Sequence, residues 1–102
     1  MVTLEKYNDE YNKFKYVIDY ANECEKLIPD NEYKEQLESK LLNVKYEVMA
    51  ELLKFMAIQP FVDYLSSSCY DTVEKYIESV NIFLKQKINN IESIKLIIEA
   101  WM

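Results

Sequence analysis

The chain contains no glycine, no histidine and no arginine, and its only prolines are Pro29 and Pro60. Each absence removes a set of options. Without glycine there is no phosphate-cradling loop, no EF-hand turn and no residue suited to left-handed caps or tight hairpins, so a strand-rich meander is disfavoured. Without histidine there is no imidazole base, no Ser-His or Cys-His pair, no HExxH and no Glu-x-x-His di-iron helix. Without arginine the planar fork that grips phosphate and guanine in two places is missing. Cysteine is sparse too: Cys24 and Cys69 lie far apart, and reduced thiols that serve in packing are the expectation.

What is present is apolar and acidic. About half of the 102 residues are hydrophobic, enough for one core at this length, and 18 acidic residues against 12 lysines leave a formal charge of −6. That sign opposes direct binding to a nucleic-acid backbone and suits a basic partner. The abundance of Lys, Asn, Ile and Tyr fits an AT-rich coding genome, such as that of many phages, poxviruses and low-GC bacteria. The opening stretch MVTLEKYNDEYNK is charged from Glu5, unlike a signal peptide or anchor. No apolar run approaches the roughly 18 residues that a bilayer crossing needs. A cytoplasmic protein without membrane contact is expected, in the host cytoplasm if it is viral.

The organising stretch is Leu41 to Ile58, LLNVKYEVMAELLKFMAI. At about 100° per residue, Leu41, Val44, Val48, Leu52 and Phe55 form one stripe and Leu42, Tyr46, Met49, Leu53 and Met56 a second beside it. Together they cover roughly 200°, leaving Lys40, Asn43, Glu47, Glu51 and Lys54 for water. A helix apolar on two adjoining sides calls for neighbours on both, as the middle helix of a bundle would have. Lys45 falls between the stripes, where its stem packs and its ammonium reaches solvent.

Before it, residues 3–28 read as an amphipathic helix capped by Thr3, with Leu4, Tyr7, Tyr11, Phe14, Ile18 and Ala21 in one stripe widened by Val17 and Cys24. Tyr16, Tyr20 and Leu27 line its far side. Ile28-Pro29-Asp30-Asn31 stops it, and Asp30 or Asn31 caps a second helix over 31–58 in which Tyr33, Leu37 and Leu41 begin the inward face. Gln59-Pro60 ends that helix, and Pro60 suits the first position of a short connecting helix, 60–67. The Ser66-Ser67-Ser68 run has no base and no glycine elbow, and reads as a linker.

Asp71-Thr72-Val73-Glu74 is a capping box opening a last helix over 72–101. Its apolar face holds Val73, Tyr76, Ile77, Val80, Phe83, Leu84, Ile91, Ile94, Ile98, Trp101 and Met102, with Lys87 near the centre. The face keeps phase through Asn89-Asn90, which favours a continuous helix. A second capping box from Asn89 to Glu92 marks where the alternative, a break, would fall. The expectation is therefore an all-α single domain over 1–102: an antiparallel, up-down-up bundle of three long helices plus one short connecting helix.

A carboxylate pair or a lysine base would need a concave pocket, for which so small a bundle has little room, so no catalytic residue, cofactor or metal is expected. The unusual feature is charge. Asp19, Glu23, Glu25, Asp30, Glu32, Glu35 and Glu38 gather around the Pro29 turn, answered by Lys26 and Lys34, with Tyr16, Tyr20 and Tyr33 nearby to supply contact area. They are either a solubilising tip or a patch that docks on a basic groove, where spaced carboxylates imitate a row of phosphates.

The expectation is a small acidic module that binds one target protein with a basic or nucleic-acid-binding surface and acts by occupancy, with no direct contact to nucleic acid. In size and composition it is similar to the inhibitors of host defence encoded by viruses and mobile elements, anti-CRISPRs among them. The alternatives are a toxin immunity protein or a self-assembling scaffold, a homodimer joined through Ile82, Leu96, Ile97 and Trp101 of the C-terminal helix.

Overall fold

The computed structural model describes residues 4–58 and 70–101. Three helices, α1 (Leu4–Lys26), α2 (Lys34–Ile58) and α3 (Tyr70–Glu99), pack against one another in a body about 54 Å long and 17 to 18 Å across. The described residues contain no strand. The short helix expected over 60–67, the Thr3 cap, Met102 and Cys69 lie outside the described residues.

The direction of the helices follows from which residues meet. Phe14 packs on Phe55 and Glu25 pairs with Lys45, so α1 and α2 are antiparallel. Lys13 reaches Asn81, and Lys95 lies over Tyr20, so α1 and α3 run the same way. Glu47 pairs with Lys87, and Phe55 stacks on Tyr76, completing the up-down-up arrangement.

The core is one continuous cluster: Phe14, Val17, Ala21, Cys24 and Ile28 from α1 and its end; Leu37, Leu41, Val44, Val48 and Phe55 from α2; Val80, Leu84, Ile91, Ile94 and Ile98 from α3. Tyr11, Ile18, Leu52, Tyr76 and Phe83 pack around its margin. These are the positions that the helical periodicity selects, with two exceptions.

Tyr33, expected to begin the inward face of α2, is exposed, because α2 starts at Lys34, three residues after the Asn31 cap position. Residues 31–33 instead form a turn in which the Asn31 side-chain oxygen accepts the Tyr33 amide at 2.8 Å and its carbonyl accepts the Lys34 amide at 3.2 Å. The second exception is larger. Leu42, Tyr46, Met49, Leu53 and Met56 are all exposed, although a neighbour on that side of α2 was expected. In a three-helix bundle each helix turns a single face to the shared axis, and both neighbours of α2 share its first stripe.

No break interrupts α3 at Asn89-Asn90. The Ser93 hydroxyl donates to the Asn89 carbonyl one turn back at 3.0 Å, satisfied inside the helix rather than at a new start. The Lys45 stem is covered as expected, but its ammonium, expected to reach solvent, pairs instead with Glu25 at 2.7 Å and Asn22 at 3.2 Å across the groove to α1. Lys87 is likewise mostly covered, pairs with Glu47 and stands 5.2 Å from the centre of the Phe83 ring.

Candidate functional site

The up-down-up topology brings the end of α1, the turn over 27–33, the start of α2 and the end of α3 to one pole of the body. α1 ends with the Leu27 and Ile28 amides donating to the Cys24 and Glu25 carbonyls at 3.0 and 3.2 Å, tight closing turns ahead of Pro29. Ile28 stays buried beneath, which fixes the entry of the acidic turn. At the end of α3, the Trp101 amide donates to the Ile98 carbonyl at 3.0 Å. This places the indole on Tyr33: the rings stack with centroids 5.5 Å apart and planes 19° from parallel.

Asp30, Glu32 and Glu35, within three residues of Tyr33 in the chain, are all exposed, and no ion pair or hydrogen bond among the described residues engages their side chains. Glu99 of α3 comes to the same pole, close enough to Cys24 for its charge to act on the thiol. Two helix C-termini and one N-terminus converge here, so the backbone dipoles add a net negative contribution. Lys26 answers it in the last turn of α1, whereas the last turn of α3 has no basic residue.

The sequence-selected residues divide into four groups. Asp30, Glu32, Glu35 and Tyr33 share the pole. Glu23 and Asp19 lie on the exposed side of α1, Glu23 bonded to Lys26 at 3.1 Å. Glu25 and Glu38 face the groove between α1 and α2, about 610 Å³, which they line with Asn22, Lys26, Ile28 and Lys34. There Glu25 is committed to Lys45 and serves the fold.

Tyr16 and Tyr20 are not at the pole. Their rings pair at 6.1 Å on the α3 side of α1, where Lys95 stands 5.8 Å from the centre of Tyr20. Desolvation pushes the Tyr20 hydroxyl above the ordinary phenol value, opposed by Lys95. Trp101 and Glu99 were absent from the sequence-level patch. The three matched helix lengths would have located them, since an odd number of antiparallel passes returns the C-terminus to the first hairpin.

Of the residues proposed for a C-terminal seam, Ile82, Leu96, Ile97 and Trp101 are exposed. Exposed Lys85, Gln86, Asn89 and Ser93 interrupt the face between Ile82 and Leu96. Among the described residues no three carboxylates or thiols converge as a metal-ligand set, and no helix is long and apolar enough to cross a membrane. No protein family matches the chain, and no curated protein or solved structure is significantly similar to it.

Proposed function

We propose that this chain is a small acidic protein-binding module that acts by occupying one target, with no catalytic step of its own. The reading rests on the pole: carboxylates at Asp30, Glu32 and Glu35 with no intramolecular partner, within three residues in the chain of Tyr33, which stacks on Trp101. Aromatic side chains supply contact area at low conformational cost, and solvated carboxylates steer a basic surface towards them. The target of best fit carries a basic or nucleic-acid-binding groove in which the carboxylates stand where phosphates would. Inhibition of a host or defence protein, of the anti-CRISPR kind, in the cytoplasm of a cell infected by a virus or mobile element is the biological role that suits such a surface. A toxin immunity protein would use the same pole on a different target.

The test is a comparison of captured partners. Wild-type protein immobilised in source lysate is expected to hold a partner that elutes at moderate salt, and Asp30→Lys, Glu32→Lys and Glu35→Lys together are expected to abolish its capture while leaving the helical circular dichroism unchanged. Equal capture by the wild type and the reversed variant would sink the reading.

A further inference from the structure

The second stripe of α2 gathers five of the exposed large apolar side chains of the described molecule on one helix face. Leu42, Tyr46, Met49, Leu53 and Met56 are between 42% and 69% exposed and follow one another at steps of four, three, four and three residues. That mean spacing of 3.5 keeps all five on one line and is the period of a left-handed two-helix seam. We propose that this face pairs with the same face of a second copy of the chain, joining two bundles through their α2 helices. The surface is distinct from the acidic pole and does not depend on the binding role assigned there.

Three observations select a second copy. The first is area. Five side chains of this size and exposure present on the order of 500 Å² of apolar surface, so pressing two such faces together removes about 1,000 Å² before the edges are counted, the size at which specific interfaces begin. One copy alone exposes about as much as the largest patches of ordinary soluble monomers.

The second is charge. A chain with a net charge of −6 repels its own copies in general, yet the five residues of this face from Leu42 to Met56 carry no charge. One edge carries Asn43, Ala50 and Ala57, and on the other Lys45 is already neutralised by Glu25. The two alanines leave room for close approach of another helix, and an antiparallel pairing keeps Glu35 and Glu38, which continue the line of the stripe beyond Leu42, at opposite ends of the seam.

The third is reach. Residues 59–69 join Ile58 to Tyr70, so an eleven-residue connection reaches at most about 22 Å before it has to turn back. Leu42 lies sixteen positions up the helix, about 24 Å away, beyond the reach of that connection.

The full chain is expected to sediment as a dimer at about 100 μM, with Leu53→Glu weakening self-association by about 100-fold or more and leaving the helical signal intact, since Leu53 makes no part of the core. The double reversal Asp30→Lys with Glu32→Lys, which leaves Glu35 on the line of the stripe untouched, is expected to leave the dimer in place, which separates this surface from the pole. As a check that does not depend on an introduced charge, Met49→Cys in a Cys69→Ser background is expected to form a disulfide-linked dimer in mild oxidant. A strictly monomeric wild type at that concentration, which would assign the face to another partner or in part to residues 59–69, overturns the proposal. So does a dimer that Leu53→Glu leaves unchanged.

Discussion

Tyr33 and Trp101, 68 positions apart in the sequence, lie ring on ring with centroids at 5.5 Å and close the pole between the start of α2 and the end of α3. The pair ties the C-terminal turn to the α1–α2 hairpin. Tyr33→Ala and Trp101→Ala, alone and combined, should give a coupling of about 0.5 kcal/mol in a urea double-mutant cycle, the low end for aromatic pairs because both rings are exposed. Trp101 is the only tryptophan, so Tyr33→Ala should also shift its fluorescence to longer wavelength. Strict additivity together with an unchanged spectrum would mean that the stack does not form in solution.

The two stripes of α2 should respond differently to truncation. Phe55 is fully buried, 5.2 Å from the Phe14 ring and 6.3 Å from the Tyr76 ring. Phe55→Ala should cost about 3 to 5 kcal/mol through lost burial and the cavity left behind. Leu53→Ala, measured at low protein concentration, should stay within about 0.5 kcal/mol, because its side chain is in water in the single bundle. Comparable losses at both positions in denaturant titrations would contradict the assignment of faces.

Glu10 is the one charged residue buried among those described, with one oxygen 2.8 Å from Lys13 and the other buried without a hydrogen-bond partner. A carboxylate half served in this way is held at a desolvation cost that the pairing offsets only in part. Glu10→Leu should therefore leave stability unchanged or raise it by about 1 kcal/mol, while Lys13→Met, which strands the carboxylate, should lower it. Denaturation midpoints at constant m-value decide this, and a large loss in Glu10→Leu would show that the pair contributes net stability.

Burial pushes the Cys24 thiol and the Tyr76 hydroxyl above their ordinary values, and Glu51 adds to the shift at Tyr76. Both groups ionise more readily in the unfolded chain, so their contribution is whole below the unfolded values of about 8.5 to 10 and is lost as pH rises through the higher folded ones. Stability should fall steadily above about pH 8.5. Cys24→Ala with Tyr76→Phe should flatten that fall. Tyr76→Phe should also raise stability at neutral pH, since it removes a buried hydroxyl with no hydrogen-bond partner. Midpoints that do not vary from pH 7 to 11 would contradict this.

Most of the core could be read from periodicity. Phe14, Val17, Ala21 and Cys24, then Leu37 to Phe55, then Ile77 to Ile98, are buried where the 3.6-residue period puts them. The unbroken phase across Asn89-Asn90 correctly outweighed the local capping box, because continuous burial of Ile91, Ile94 and Ile98 is worth more than one cap. The candidate site was legible only in part. The acidic turn is local in sequence and stands out there, whereas Trp101 and Glu99 reach the pole through the fold. Tyr16 and Tyr20, close to the turn in sequence, point along the α1–α3 side because a helix rotates them away from it.

Composition and spacing alone established a helical chain, the phase of each apolar face, and the gathering of carboxylates around Pro29, since all of these are local properties of side chains and backbone. The choice between the two stripes of α2 was made by tertiary packing. Hydrophobic spacing records which positions avoid water but not what covers them. The stripe that enters the core runs without a gap from Leu37 to Phe55, long enough to be shared by both neighbours, and its rival begins only at Leu42. Three helices around one axis leave room for a single inward face on each, so the shorter stripe stays outside.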